Sequence, residues 1–273
     1  MTIARICGWF GISRQAHYQM LHRQQERRQQ NEYILSRVRE FRQRHPWMGA
    51  RKILHELRPE LLQKGFMTGR DRFFELLAQY DLLLPRHYQK RRTTWSGLWH
   101  APNLIKTLRL LRVQQVWVCD ITYLETEEGF CYLALVTDAF SRFITGFDVS
   151  TSLAVEGALR ALKMGIAQAR RPLEGLIHHS DHGVQYTCHA YRDELAKHKI
   201  LSSMGEVGNC YDNALAERVN GILKLEYALN SRFVTVAQAV TAVKQAVWLY
   251  NNERPHLSLD YAKPVEIHFQ PFT

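Results

Sequence analysis

Along the first 85 residues the apolar positions recur at helical spacing. Ile3, Ile6 and Phe10 mark a short helix that Gly11 breaks, and Ser13 offers a hydroxyl cap to the next helix. That helix is predicted over 14–44 and is mostly polar, with Ile34, Leu35, Val38 and Phe41 as its apolar stripe. The stripe is too brief for a coiled coil, which needs sustained heptads. Pro46 ends the helix, and a second cycle opens at 48–52. Ile53, Leu54 and Leu57 share one face, Gly65 and Gly69 punctuate the turn, and a helix over 70–80 carries Phe73, Phe74, Leu76 and Leu77. Each cycle reads as helix, glycine turn, helix, the layout of a helix-turn-helix, although any three-helix bundle produces similar spacing. Arg70 and Arg72 open the last helix, where such a motif meets the major groove.

From residue 114 the period changes. β-Branched and aromatic residues predict strands over 115–125, 130–139 and 143–149, with a Glu127-Glu128-Gly129 turn between the first two. An amphipathic helix follows over 153–170, then a strand over 176–180, a helix over 190–198, a strand over 200–204, and helices over 213–229 and 237–251. This order predicts an α/β fold with a mixed five-stranded sheet and flanking helices, an RNase H-like layout. The stretch 85–103 loses periodicity and holds Lys90, Arg91 and Arg92, a basic linker expected to order on DNA. The expected organisation is a helical helix-turn-helix DNA-binding region over 1–85, the linker over 86–103, and a core over 104–273.

Composition narrows the function classes. Of 273 residues, 46% are hydrophobic and 11% aromatic, enough for a packed core. No apolar run is long enough to span a bilayer, and 1–14 lacks a secretory h-region, so a cytosolic protein is expected. Cys7, Cys119, Cys131, Cys188 and Cys210 are odd in number and unpaired in spacing, which argues for reduced thiols over disulfides or zinc. Charge is unevenly placed. Residues 1–100 hold 19 lysines and arginines against 8 acids, whereas 101–273 hold 17 against 18. A phosphate-binding module joined to a near-neutral domain has this pattern, as does a merely solvated basic surface.

Three acids stand where chemistry would need them. Asp120 lies inside the first strand among apolar neighbours, where an unpaired charge is costly. Asp181 ends the fourth strand, at the edge where α/β folds bind ligands. Glu217 falls in the first turns of a helix capped by Asp212 or Asn213. Singly, each has a bland structural reading as a salt-bridged or solvated acid. Together they supply the oxygen ligands that hard cations require, and two such ions suit phosphodiester chemistry.

The strings WVCDITYL, YLALVTDAFSR, GALRALKM, LIHHSDHGVQY and DNALAERVNGILKLEY resemble the catalytic half of an IS3-family insertion-sequence transposase. The likeness runs from about 116 to 264 and continues upstream through PWMGARKI and GRDRFFELLAQYDLLLPRH, which resemble that family's helix-turn-helix region. Asp120, Asp181 and Glu217, with 35 residues between the last two, resemble the DDE triad of retroviral integrases and related transposases. The resemblance implies an RNase H-like core in which these three acids are both catalytic residues and ligands of two divalent ions, Mg²⁺ or Mn²⁺. It implies hydrolysis of one strand at each element end, attack of the exposed 3′-OH on a phosphodiester, and no covalent enzyme intermediate. The partners it implies are double-stranded DNA (terminal inverted repeats and target), further copies of the chain on that DNA, and an upstream-frame protein fused by frameshifting. That upstream frame would carry a zipper, and no zipper-like heptads occur here, so the chain resembles the downstream frame alone. A basic residue seven positions after the glutamate belongs to the same pattern, and Lys224 stands there. Positions 217, 221 and 224 share a helical face, so Gly221 would admit DNA backbone closely and Lys224 would meet a phosphate.

Further candidates are weaker. Asp138 is expected to support the turn before Ser141 and Arg142, and His178 and His179 to be packed or hydrogen-bonded. His182, Gln185, Arg218 and Asn220 are candidate DNA contacts, and the run from Asn251 to His256 with Pro264 resembles a structural signature of the family. Two other functions compete: a catalytically silent DNA-binding regulator and a stand-alone RNase H-like nuclease. The retained acids with Lys224 disfavour the first, and the basic helical region, better suited to recognising ends than hybrids, disfavours the second.

Overall fold

The computed structural model describes residues 3–84, 99, 101–205 and 214–271. Lys90, Arg91 and Arg92, Cys210, and the proposed cap at Asp212 or Asn213 lie outside the described residues. The chain divides into two compact units, Met1–Arg86 and His87–Thr273.

In the first unit α1 (Ile3–Trp9), α2 (Arg14–Arg44), α3 (Ala50–Gln63) and α4 (Arg70–Gln79) follow the predicted breaks. Ser13 caps α2, its Oγ accepting from Ala16 N at 3.0 Å. Only the second half of α2 is buried: Ile34, Leu35 and Val38 pack with Met48, Ile53, Leu57, Phe73 and Leu77 into one core. Tyr33 and Arg37 of α2 both hydrogen-bond to Glu60 of α3, Arg37 Nε at 3.1 Å. Arg70 and Arg72 are exposed at the start of α4, Arg70 pairing with Asp71 at 2.8 Å.

The second unit is built on β1 (Val116–Thr126), β2 (Gly129–Asp138), β3 (Ile144–Ser150), β4 (Ile177–Ser180) and β5 (Leu201–Met204), ordered β3-β2-β1-β4-β5. β1, β2 and β3 form an antiparallel meander, while β4 and β5 run parallel to β1. Period-2 alternation then sends residues to two cores. Leu124, Leu133, Leu135 and Ile144 meet α8 (Ala214–Glu226) and α9 (Val236–Asn252) on one face. Trp117, Cys119, Ala134 and Val136 meet α5 (Val155–Ala167) and α7 (His189–Lys197) on the other. At Gly146 a Cβ would lie 2.1 Å from the Ala161 carbonyl oxygen, so only glycine lets β3 approach α5 this closely. The predicted α/β mixed sheet with flanking helices is the architecture observed.

Two short helices escaped the sequence reading, α6 (Val184–Thr187) and α10 (Pro264–His268); neither completes enough turns to show a period. At 101–103 the linker expectation differs from the structure. Ala101 packs against the second core, Pro102 O accepts from Met204 N at 3.4 Å, and Ser203 Oγ accepts from Leu104 N at 2.9 Å. These residues cover the β5 edge, a long-range partner that composition does not reveal. Among the described residues no helix is long and apolar enough to cross a membrane.

Candidate active site

β4 ends at Ser180 and pairs with β1 only as far as Val118 opposite His179. Just beyond that point β1 turns Asp120 toward α8. Its carboxylate accepts Ile121 N on Oδ1 at 2.9 Å and Asn220 Nδ2 on Oδ2 at 2.7 Å. Asp181 follows β4 directly, at the C-terminal end of a parallel strand, and its Oδ1 accepts Gly183 N at 3.0 Å. Glu217 stands exposed in the first turn of α8.

Burial, and then the neighbouring charge of Asp181, push the Asp120 carboxyl up to about 7. The hydrogen bonds from Asn220 and Ile121 pull the other way, and Glu217 adds a smaller upward push. A carboxyl whose ionised form is disfavoured by burial and a neighbouring acid is a donor that a hard divalent cation would relieve. Among the described residues no three His, Cys, Asp or Glu side chains already converge as a closed cage. The structure therefore sets Asp120 beside Asp181 and puts Glu217 within electrostatic reach.

Lys224 lies in the last turn of α8, half-buried, its Nζ 4.3 Å from the centroid of the Tyr123 ring. Burial lowers its pKa and Asp120 partly restores it. The ammonium is thus held at the edge of the acidic site by a cation–π contact rather than left in solvent. One turn before it, a Cβ on Gly221 would meet nothing within 4 Å, so that helix face is open.

Several candidates change role. Asn220 is buried and spends its amide on Asp120; it holds the carboxylate and is no surface for DNA. Gln185 is also buried, donating to the Leu153 carbonyl at 2.7 Å, so it too faces inward. His182 Nε2 bonds the Gly205 carbonyl at 2.5 Å. Arg218 is exposed. His178 and His179 are buried, bonded to Tyr191 Oη and Ser203 Oγ at 2.9 Å each; burial, and then His179, hold His178 down to about 3. Asp138 has no exposed surface and accepts Gln114 N, Ser141 N and Ser141 Oγ at 2.6, 2.8 and 2.9 Å, the turn support expected of it.

The C-terminal run is structural. Asn251 Oδ1 accepts Ile144 N at 2.9 Å and its Nδ2 donates to Ile144 O at 3.0 Å, beside the β2–β3 register shift. Arg254, 2% exposed, grips Glu226 at the end of α8 through Nε and Nη2 at 2.8 and 2.7 Å. Gly183 went unremarked in the sequence. A Cβ there would lie 3.0 Å from Asp181 Oδ1, so its lack of a side chain keeps that carboxylate in place; the only available signal was a glycine two residues after an acid.

Two models described as "Integrase core domain" match residues 111–210 and 198–264. An uncharacterized 31 kDa protein of insertion element IS600 from Shigella sonnei is 34% identical, over 95% of this chain and 96% of its own length. The transposase for insertion sequence element IS629, also from Shigella sonnei, is 32% identical over 88% and 80%. Transposase InsF for insertion sequence IS3A from Escherichia coli K12 is 39% identical over 44% and 42%. Among solved structures, the HTLV-2 integrase catalytic core domain in complex with magnesium gives a TM-score of 0.47 at 18% identity, over 59% of this chain and 99% of that one.

Proposed function

Because this chain belongs to the IS3-family insertion-sequence transposases, DDE-type polynucleotidyl transferases that depend on divalent metal, we propose that Asp120, Asp181 and Glu217 are its metal-holding catalytic carboxylates. The observation that carries this assignment is the half-buried Asp120, held by Asn220 and raised to about 7 beside Asp181 where a parallel strand ends. Two ions, Mg²⁺ or Mn²⁺, would activate one oxygen and stabilise the leaving one at a phosphodiester.

The chain's own groups have separate tasks. Asn220 orients Asp120 and favours its ionised form. Gly183 fixes Asp181 through its N–H. Lys224 supplies a cation to a phosphate beside the acids, and the open face at Gly221 admits the backbone of the strand. The reaction is hydrolysis of one strand at each element end to expose a 3′-OH, then attack of that hydroxyl on target DNA. No serine or tyrosine nucleophile takes part.

The first unit supplies recognition of the terminal inverted repeats, with Arg70 and Arg72 at the head of α4. The exposed pair of Arg70 with Asp71 contributes little and leaves most of the guanidinium donors free for phosphate. Lys90, Arg91 and Arg92 add phosphate contacts. The active form is a homo-oligomer on DNA, joined to an upstream-frame protein by frameshifting.

The test is cleavage of a labelled element end by Asp120→Asn, Asp181→Asn and Glu217→Gln chains whose folding is checked by circular dichroism. Each should abolish cleavage, and pairs should lose no more than singles, because the three act as one unit. Near wild-type cleavage by Glu217→Gln removes that residue from the site. A wild-type chain that binds ends without cutting them, alone and fused to the upstream-frame protein, is a regulator.

A further inference from the structure

We propose that the cavity beside Asp120 and Asp181 receives one unstacked nucleobase of the DNA end whose phosphodiester reacts. This rests on the assignment of those acids given above. The cavity measures about 320 Å³, at the small end of ligand pockets, which run from about 300 to 1,000 Å³.

Its wall is aromatic. Tyr123 and Tyr132 stand opposite each other in the β1–β2 register, and Phe130 packs edge-on against Tyr123 with ring centroids 5.5 Å apart. Phe130 is 54% exposed and Val184 49% exposed, so two apolar side chains face water beside two carboxylates. Phosphodiester hydrolysis by carboxylates needs no such wall. A flat, neutral ring does, because base–aromatic stacking tolerates any of the four bases.

Charge sorts the nucleotide in the same way. Cations held by Asp120 and Asp181 would draw the reacting phosphate to the carboxylates, while the aromatic wall of the same cavity suits the uncharged base. Lys224 sets its ammonium against the ring of Tyr123. One residue thus contributes both to the aromatic wall and to the seat of the cation. The sugar–phosphate chain would pass outside at Lys224 while its base turns inward. Enzymes that modify a base unstack its nucleotide into such a pocket; here the same movement would position the strand, and the stack gained inside offsets the one lost.

The experiment uses the full chain and duplexes carrying the element end, with an abasic nucleotide stepped one position at a time across the cleavage junction. Wild type, Phe130→Ala and Phe130→Trp are compared, and a second series steps the abasic nucleotide through the target duplex. At one position of the end duplex, base removal should change wild-type cleavage about tenfold, the low range of one base–aromatic stack. In Phe130→Ala the change should fall below twofold, and Phe130→Trp should restore it. Equal abasic effects in wild type and Phe130→Ala at every position overturn the proposal, as does coupling confined to the target duplex. A Phe130→Ala defect matched by loss of self-association, with no abasic coupling, makes the patch a protein contact and also overturns it. Absence of wild-type cleavage both by this chain and by its fusion to the upstream-frame protein would instead refute the functional reading itself.

Discussion

Asn220 of α8 donates its side-chain amide to Asp120 of β1 at 2.7 Å, across 100 residues of sequence. The bond joins the helix that carries Glu217 and Lys224 to the strand that carries the first acid. It is also among the interactions that hold the Asp120 carboxyl below where burial alone would put it. Asn220→Ala should therefore raise the Asp120 pKa further and weaken Mg²⁺ binding at neutral pH by about tenfold, the scale of one hydrogen bond to a charged group. Isothermal titration with Mg²⁺ checks this, and an unchanged affinity would show that the bond serves packing only.

The protonation of Asp120 predicts a pH-dependent response to metal. Its folded-state pKa, about 7, lies above the ordinary 3.8, so the metal-free fold favours the protonated form. Stability owed to this group is full at low pH and is lost as pH rises through about 7. A divalent ion binds the ionised form and reverses the loss. Mg²⁺ should then raise the melting temperature more at pH 8 than at pH 6. Equal Mg²⁺-induced shifts at the two pH values would count against the paired-carboxyl site.

Lys224 should matter for the strand and not for the ion. Lys224→Ala is expected to lower end cleavage at saturating DNA and Mg²⁺ by at least tenfold with metal affinity unchanged. Lys224→Arg should keep part of the activity, since one phosphate contact needs charge more than a given donor geometry. Tyr123→Leu should mimic Lys224→Ala in part by removing the ring that holds the ammonium. If Lys224→Ala cleaves as wild type does, the lysine has no part in positioning DNA.

Arg254 bears on α8 from its far end. Its guanidinium is 2% exposed and doubly bonded to Glu226, the last residue of that helix. Arg254→Ala leaves a largely buried carboxylate without its partner and should cost about 3–5 kcal/mol in chemical denaturation. Arg254→Lys should recover little, because an ammonium cannot reproduce the bidentate fork. The double change Arg254→Met with Glu226→Leu should recover most of it, and failure to do so would assign the cost to packing.

Salt dependence should separate the two units. The 87–273 segment is expected to bind element ends with a shallower dependence of log affinity on log salt than the full chain, since fewer phosphate contacts release fewer counterions. The sharper version replaces Arg70 and Arg72 by alanine in the full chain. An identical slope for that double variant would remove both residues from the DNA contact.

Chemistry-bearing positions were legible where local pattern and residue type coincide. An aspartate within an apolar strand, a second at a strand end and a glutamate early in a helix all stand out in one dimension, as do the strands and long helices around them. The roles of Asn220, Gln185 and Gly183 were not legible. An asparagine and a glutamine near the proposed catalytic acids look alike in sequence whether they face DNA or turn inward. Only the fold shows that Asn220 is spent on Asp120 and Gln185 on the Leu153 carbonyl.

The sequence by itself determined the element types, the two-part charge distribution and the family, and singled out the three candidate acids, because each depends on residues close together or on a fixed spacing along the chain. Tertiary structure decided which side chains share a site. β4 stops short of Asp120, α8 reaches it through Asn220, and Arg254 and Asn251 pin the C-terminal helices to α8 and β3. These contacts join residues about 30 to 110 positions apart, and their partners are chosen by how two sheet faces bury their alternating side chains. Periodicity along one strand or helix says which face is buried; it does not say what the face is buried against.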